Sequence, residues 1–496
     1  MTTPTTNLTT GVPGLDVIVD GGLSPGALVF LVGAPGAGKT ILASQILFHV
    51  VKEDNGPAVI FTVFSEGNTK LLDHLRRLTF FDEQLVGHDV TLLSLERVLG
   101  TDPDAMASAI VREIRQSGAR VVLIDGFQGV IGLLADDRTI RRTLARIATL
   151  IAYLDVTVLV TMAGSSHDPH LSTTLTTADL VLGLEYAVEG RRHTRRLEVV
   201  KQRGRRQLPG LHPYSISDAG VRVFPRLEVR PHQLLRPRPH DLAPFGLPDL
   251  DALLGGGVAH GSATLLAGPP GSGKTTLGLY WALADATPAT ATLWLSVAEY
   301  PDQLQAKAAS FGLDLAPALA TGALVLVRLS PVELQPDAVA SQLLDALSPG
   351  TQRLIIDDIA SLIHELGARA PDYLNALREH LYVAGVTSLF VLDIEGFTGF
   401  GLEVAHAPLL LLAENILVVQ QQLTQNRLHR MLAILKMHFT GYDQRLRELV
   451  LDGHGIRVLA PDETVGAVVA PVVGTDERST PSRGNQQPSS DHKSDE

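Results

Sequence analysis

A chain of 496 residues is too long for one ordinary hydrophobic core, and its 45% apolar content is enough to fill two. With 41 basic against 53 acidic side chains the formal charge is -12, which disfavours a broad nucleic-acid or anionic-membrane surface while leaving room for a local basic patch. Cysteine is absent, excluding disulfides and thiol chemistry; no apolar stretch reaches the ~18 residues of a membrane span and "MTTPTTNLTT" has no leader character, so a cytoplasmic protein without membrane contact is expected.

In chain order, "ALVFLVG" reads as a buried strand, "GAPGAGKT" as a glycine loop, and "KTILASQILFHVV" has helical spacing. Strand "AVIFTVF", helices "NTKLLDHLRRL" and "DAMASAIVREIRQS", strand "RVVLIDG", helix "RTIRRTLARIATLIAYL" and strand "VTVLVTM" follow. This alternation predicts a mainly parallel sheet flanked by helices, an α/β fold. "DLVLGLEYAVEG" and "RRLEVVKQRG" read as antiparallel strands appended at one side.

The pattern then repeats. "GVPGLDVIVDGGLSPGALVFLVGAPGAGKT" from Gly11 returns as "GLPDLDALLGGGVAHGSATLLAGPPGSGKT" from Gly246, with Asp16 matching Asp251, Gly26 matching Gly261 and Lys39 matching Lys274, each pair 235 apart. Asp125 in "VVLIDG" and Asp357 in "LIIDDI" are 232 apart, and Lys201 and Lys436 again 235. A spacing so nearly constant means duplication of a whole domain. The expected division is residues 1–228, a linker over 229–242, a second copy over 243–459 and a disordered tail over 460–496.

The spacing G-x-x-x-x-G-K-[ST] between strand and helix builds a phosphate cradle: backbone N–H groups converge on phosphate oxygens, the lysine neutralises the β and γ phosphates, and the hydroxyl holds Mg²⁺. Gly33, Gly36, Gly38, Lys39 and Thr40 satisfy it, and Gly268, Gly271, Gly273, Lys274 and Thr275 satisfy it again. ATP and Mg²⁺ are therefore the expected cofactors. Asp125 and Asp357, each ending an apolar strand, are placed to order the Mg²⁺ shell; the alternative is a strand-end aspartate capping a turn.

These residues carry a family resemblance. "TTGVPGLDVIVDGGLSPG", "GAPGAGKT", "FTVFSEGNTKLLDHL", "VVLIDG" and "LEYAVEGRRHTRRLEVVKQRGRRQLPGLHPYSISDAGVRVFP" together resemble the KaiC family of RecA-like P-loop ATPases, over both copies. The resemblance implies two tandem RecA-like domains in a double-ring homo-hexamer, with ATP held between neighbouring subunits. It further implies that Lys201, Arg203 and, in the second copy, Lys436 reach the γ-phosphate of an adjacent subunit. His438 stands where the family usually has arginine. Read alone, "RRHTRRLEVVKQRGRR" is an exposed basic strand.

The chain also departs from the family. A pair of glutamates there follows the second strand, and the first polarises the lytic water. Here "VFSEG" gives Ser65 then Glu66, and "SVAEY" gives Ala298 then Glu299. Glu66 and Glu299 are the candidate catalytic acids if the role has shifted by one residue; charge pairing at a helix N-terminus is the other reading. Slow hydrolysis is expected, because a missing base costs about 10² to 10⁴ in rate. Leu410 and Leu411 occupy the positions of the family's phosphorylated Ser and Thr, which leaves serine/threonine autokinase activity without its usual acceptors, although Thr398 remains as another hydroxyl.

Three functions follow from these residues: a hexameric ATPase acting as a regulatory hub for a protein partner, an ATP-sensing scaffold with little turnover, or a RecA-type DNA motor. Residues 163–190 and 392–426, where such motors present basic loops to DNA, contain neither lysine nor arginine, which disfavours the third.

Overall fold

The computed structural model describes residues 7–54, 56–63, 68–95, 103–131, 137–189, 192–231, 241–297, 299–332, 334–394, 407–424, 426–453 and 455–459. Ser65, Glu66, Ala298 and Thr398 lie outside them, as does the segment 460–496.

The first domain is one nine-stranded sheet built from β1 (Leu28–Gly33), β2 (Ala58–Thr62), β3 (Val90–Ser94), β4 (Val121–Asp125), β5 (Thr157–Ala163), β6 (Leu180–Glu189), β7 (Arg192–Gln202), β8 (His212–Ser217) and β9 (Gly220–Val223). Its order is β3-β2-β4-β5-β1-β6-β7-β8-β9. The strands from β3 to β6 pair in parallel and those from β6 to β9 antiparallel. A short ribbon of β10 (Leu242–Ala243) and β11 (Val258–Ala259) precedes the second sheet. That sheet is built from β12 (Ala263–Gly268), β13 (Ala291–Ser296), β14 (Leu324–Arg328), β15 (Thr351–Asp357), β16 (Thr387–Asp393), β17 (Asn415–Thr424), β18 (Arg427–Lys436), β19 (Arg447–Asp452) and β20 (Gly455–Val458). Its order, β14-β13-β15-β16-β12-β17-β18-β19-β20, repeats the first strand for strand. The duplication read from sequence is thus a duplication of topology, two RecA-like α/β domains in tandem.

Burial explains why the glycine loops sit where they do. All six residues of β1 and all six of β12 are buried, since helices cover both faces of the sheet. Alternation then divides each run between two cores: Val29 and Leu31 pack on one face, Leu28, Phe30 and Val32 on the other. A strand so enclosed can open to ligand only at its ends. In each domain the carboxyl end, between β5 and β6 or between β16 and β17, carries the glycine loop.

Three strands of the first sheet, β3, β8 and β9, were not read from the sequence, nor was the helix Pro169–Leu175. β3 is an edge strand whose residues after Val90 are only half-buried, so its apolar signal is weak. The β8–β9 hairpin is short and contains Pro213, yet Tyr214, Val221 and Val223 join the first core. No helix among the described residues is long and apolar enough to cross a membrane.

The domains are joined by a buried ionic knot. Leu227, in the 3-10 turn Leu227–Val229, packs into the core of the second domain. The adjacent Glu228 meets Arg369 through two hydrogen bonds of 2.9 Å, and the same guanidinium donates two of 3.1 Å to Asp337. Asp337 is completely buried and also accepts from the Leu227 N–H at 3.3 Å. Among the described residues, removing the arginine would leave the buried Asp337 without a cation and Glu228 with only Arg226, at 3.5 Å. Arg369→Ala is expected to destabilise the protein by about 2–3 kcal/mol, less than the ~3–5 of a wholly enclosed pair because the arginine is partly exposed. Urea denaturation checks this; a midpoint unchanged from the parent would contradict it.

Candidate active site

Each loop turns from strand to helix through two left-handed glycines. Gly38 has φ +89° and Gly273 φ +100°, and a Cβ on either would lie 2.4 Å from Ile216 Cδ1 or 2.8 Å from Leu451 Cδ2. The left-handed backbone demands glycine there, and the side-chain ends of Ile216 and Leu451 pack directly against it. The neighbours come from β8 and β19, so the hairpins that escaped sequence reading are the buttresses of the phosphate loops. In the first domain the buttress is polar as well, with the buried Tyr214 hydroxyl donating to Ala37 O at 2.5 Å. Burial drives that phenol's pKa far above its usual range, so it remains a donor.

Both lysines fold back onto their own loops. Lys39 Nζ donates to Gly33 O at 2.8 Å and Ala34 O at 2.9 Å, and Lys274 Nζ to Gly268 O and Pro269 O at 2.8 Å each. Burial lowers the Lys39 pKa, with Asp125 opposing the shift. An ammonium held this way is partly stripped of water and gains strongly from an arriving anion.

The loop threonines and the strand-end aspartates are brought together. Thr40 Oγ1 donates to Asp125 Oδ1 and Oδ2 at 2.9 and 3.1 Å, while Thr161 donates to the same carboxylate at 2.5 Å. Thr275 hydrogen-bonds Asp357 likewise, but the residue matching Thr161 in the ladder beside β12 is Val391, which has no donor. Asp357 is pushed up to about 6, chiefly by burial and then by the charge of Glu299, with the Thr275 hydrogen bond opposing. A buried, underpaired carboxylate beside a threonine hydroxyl fits a hard divalent cation. Thr40 with Asp125, and Thr275 with Asp357, would hold it.

Glu299 stands at this corner. Its carboxylate pairs with Lys307, Ser296 Oγ accepts from its N–H at 3.0 Å, and its Oε2 is buried without a hydrogen-bond partner. Glu66, the matching residue of the first domain, lies outside the described residues. Beside Thr40 and Asp125 a cleft of about 620 Å³ opens, walled by Ile41, Leu71, Leu75 and Ile216, apolar enough for a flat base beyond the phosphates.

Lys201, Arg203 and Lys436 are not brought to the loops of their own domains. Lys201 pairs with Val181, and Val181 faces Phe30 in the first half of β1; the loop leaves the other end at Gly33. Three residues of strand separate those levels, roughly 10 Å. Lys201 Nζ and Arg203 Nη2 instead donate to Thr176 O, at 2.6 and 2.8 Å, behind the helix Pro169–Leu175. Lys436 Nζ donates to Ala413 O at 2.7 Å in the equivalent place, and His438 stacks edge-on against Phe439.

Tyr214 has no counterpart in the second domain, where Leu449 occupies the equivalent position 235 residues on. Tyr214→Phe removes about 1 kcal/mol of support from the first loop, so ATP affinity there is expected to fall about fivefold. Titration of the full chain with a fluorescent ATP analogue should show the second class of sites unchanged; an unaltered first class would contradict this role.

A family model described as "ATPase: KaiC" matches residues 8–228 and again 243–463. Curated relatives match along nearly the whole chain. The circadian clock protein KaiC2 of Synechocystis sp. is 25% identical over 466 residues, 91% of this chain and 81% of its own. The circadian clock oscillator protein KaiC of Picosynechococcus sp. is 24% identical over 90% of this chain and 88% of its own, and the circadian clock protein KaiC3 of Synechocystis sp. is 23% identical over 93% and 94%. The doubled match falls on the two sheets whose glycine loops, lysines and aspartates are described above, and it places the chain in the KaiC family of nucleotide-binding ATPases.

Proposed function

We propose that the protein is a homo-hexameric, slowly hydrolysing Mg-ATPase of the cytoplasm, whose nucleotide state governs its contacts with a regulatory protein partner. The observation that carries this reading is the separation within one chain of the phosphate loops from Lys201, Arg203 and Lys436. Basic groups facing away from their own loop serve phosphate when a neighbouring subunit brings its loop to them. Gly33, Gly36, Gly38, Lys39 and Thr40, with their second-domain matches, would hold the phosphates, and Asp125 and Asp357 the Mg²⁺. The residue span 1–228 would form one ring layer and 243–459 the other.

Slow turnover follows from Ser65 and Ala298 at the positions of the family's activating acid, and from the engagement of Glu299 by Lys307. The same observations favour a second reading, an ATP-sensing scaffold with negligible hydrolysis. Leu410 and Leu411 offer no hydroxyl to phosphorylate, so an autokinase role lacks its usual acceptors. The absence of lysine and arginine over 163–190 and 392–426 argues against a DNA motor.

If ATP sits between subunits, its binding energy is assembly energy, about 2.7 kcal/mol per site at a hundredfold excess over the dissociation constant. Mg-ATP is expected to produce a ring of about six chains. Lys39→Ala should weaken it more than Lys274→Ala, because only the first domain has both Lys201 and Arg203. Light scattering giving one mass with and without nucleotide would contradict the assembly. For the chemistry, Ser65→Glu should raise phosphate release about tenfold, short of the 10² to 10⁴ of a native base. Glu66→Gln is its control: if that change abolishes a brisk wild-type activity while Ser65→Glu does nothing, Glu66 is the base.

A further inference from the structure

The two loops differ in what faces their lysines. In the ladders beside them, Gly33 lies opposite Ala163 and Gly268 opposite Asp393. The Ile394 N–H donates to Gly268 O at 3.1 Å, fixing the end of β16 against the second loop. From there Asp393 Oδ1 reaches to 2.7 Å from Lys274 Nζ. With the carbonyls of Gly268 and Pro269 it supplies an acceptor for each of the three ammonium protons. The Lys274 side chain is only 5% exposed, so its charge is answered inside the protein.

The next strand carries the same contrast. Asp125 is followed by Gly126, whereas Asp357 is followed by Asp358. Asp358 caps the helix Ile359–Leu366, its Oδ1 accepting from the Ala360 N–H at 2.9 Å. The phosphate end of the second loop thus carries two carboxylates where the first has an alanine and a glycine.

Resting on the reading of both loops as ATP sites, we propose that Asp393 is a built-in counter-ion for Lys274 that competes with nucleotide phosphate and makes the second domain the weaker ATP site. A triphosphate entering the first loop meets a lysine whose hydrogen-bond partners among the described residues are the Gly33 and Ala34 carbonyls. One entering the second must displace a carboxylate from the same ammonium and then lie beside that carboxylate and Asp358, with like charges opposed in a largely dehydrated pocket. Asp393 is half-exposed, so it can yield to water when phosphate arrives. It is therefore a competitor and not a plug, and the second domain fills at higher nucleotide concentration than the first.

The test is equilibrium binding of a fluorescent ATP analogue with Mg²⁺ to the full chain, with Lys39→Ala silencing the first site. Against that background Asp393→Ala and Asp393→Asn should each bind about tenfold more tightly. In the converse background, Lys274→Ala, the change Ala163→Asp should weaken the first site by a similar factor. A gain in affinity cannot come from misfolding. Unchanged or weaker binding by both Asp393 variants would overturn the proposal, as would unchanged binding with lost phosphate release, which would make Asp393 a participant in hydrolysis. Failure of the wild type to bind nucleotide at all would overturn the reading of both loops as ATP sites, and this inference with it.

Discussion

The structure depends on holding a lysine ammonium, mostly out of water, at the open end of a strand buried on both faces. A charge in that position must be met by fixed partners. Here they are carbonyls of a loop that reverses through left-handed glycines, joined at Lys274 by the Asp393 carboxylate, and Ile216 and Leu451 from the antiparallel hairpins pack against those glycines. The long parallel sheet, its cover of helices and the appended antiparallel strands follow from that requirement. The sheet brings Asp125 and Asp357 beside the loop threonines, and the hairpins brace the loops from the side.

The same sheet holds the glycine loops apart from Lys201, Arg203 and Lys436. β6 and β17 run alongside the loop strands, so the residues at their starts are carried away from the loops. The returning β7 and β18 deposit Lys201 and Lys436 there. The loop lysines, threonines and strand-end aspartates therefore lie at one end of the central strands, and the additional cations toward the other. Meanwhile Arg369, clasping Glu228 and Asp337, ties the outgoing end of the first domain into the second.

The parts legible in the sequence are those set by local pattern or by repetition. "GAPGAGKT" and "GPPGSGKT" name their own backbone conformation, and a spacing of 235 residues discloses two like domains. Apolar runs such as "VVLID" mark buried strands whatever their partners. What escaped depends on distant neighbours. "HPYSISDAGVRVF" is two short strands with a proline, and only the packing of Tyr214 and Ile216 on the first loop gives it meaning. Asp393 in "VLDIEGF" looks like an ordinary strand end until β16 is placed beside β12. Arg369 in "GARAPD" gives no sign of the two carboxylates it joins, 141 and 32 residues away. Glu66 was singled out by its place after β2, and lies outside the described residues.

The claim at the centre of this account is that ATP is shared between subunits, one giving the loop and the next the cations. Subunit mixing addresses it directly, using chains that all carry Lys274→Ala so that only the first domain reports. One population adds Lys39→Ala and the other Lys201→Ala with Arg203→Ala, and neither alone should release phosphate above background. Mixed in equal amounts, about a quarter of the interfaces would join an intact loop to intact cations, because each interface is heterologous and draws its two sides independently. The account predicts recovery of phosphate release to about that fraction of the Lys274→Ala parent. Mixtures as silent as their components, although mass measurement shows both chains in the same rings, would contradict it.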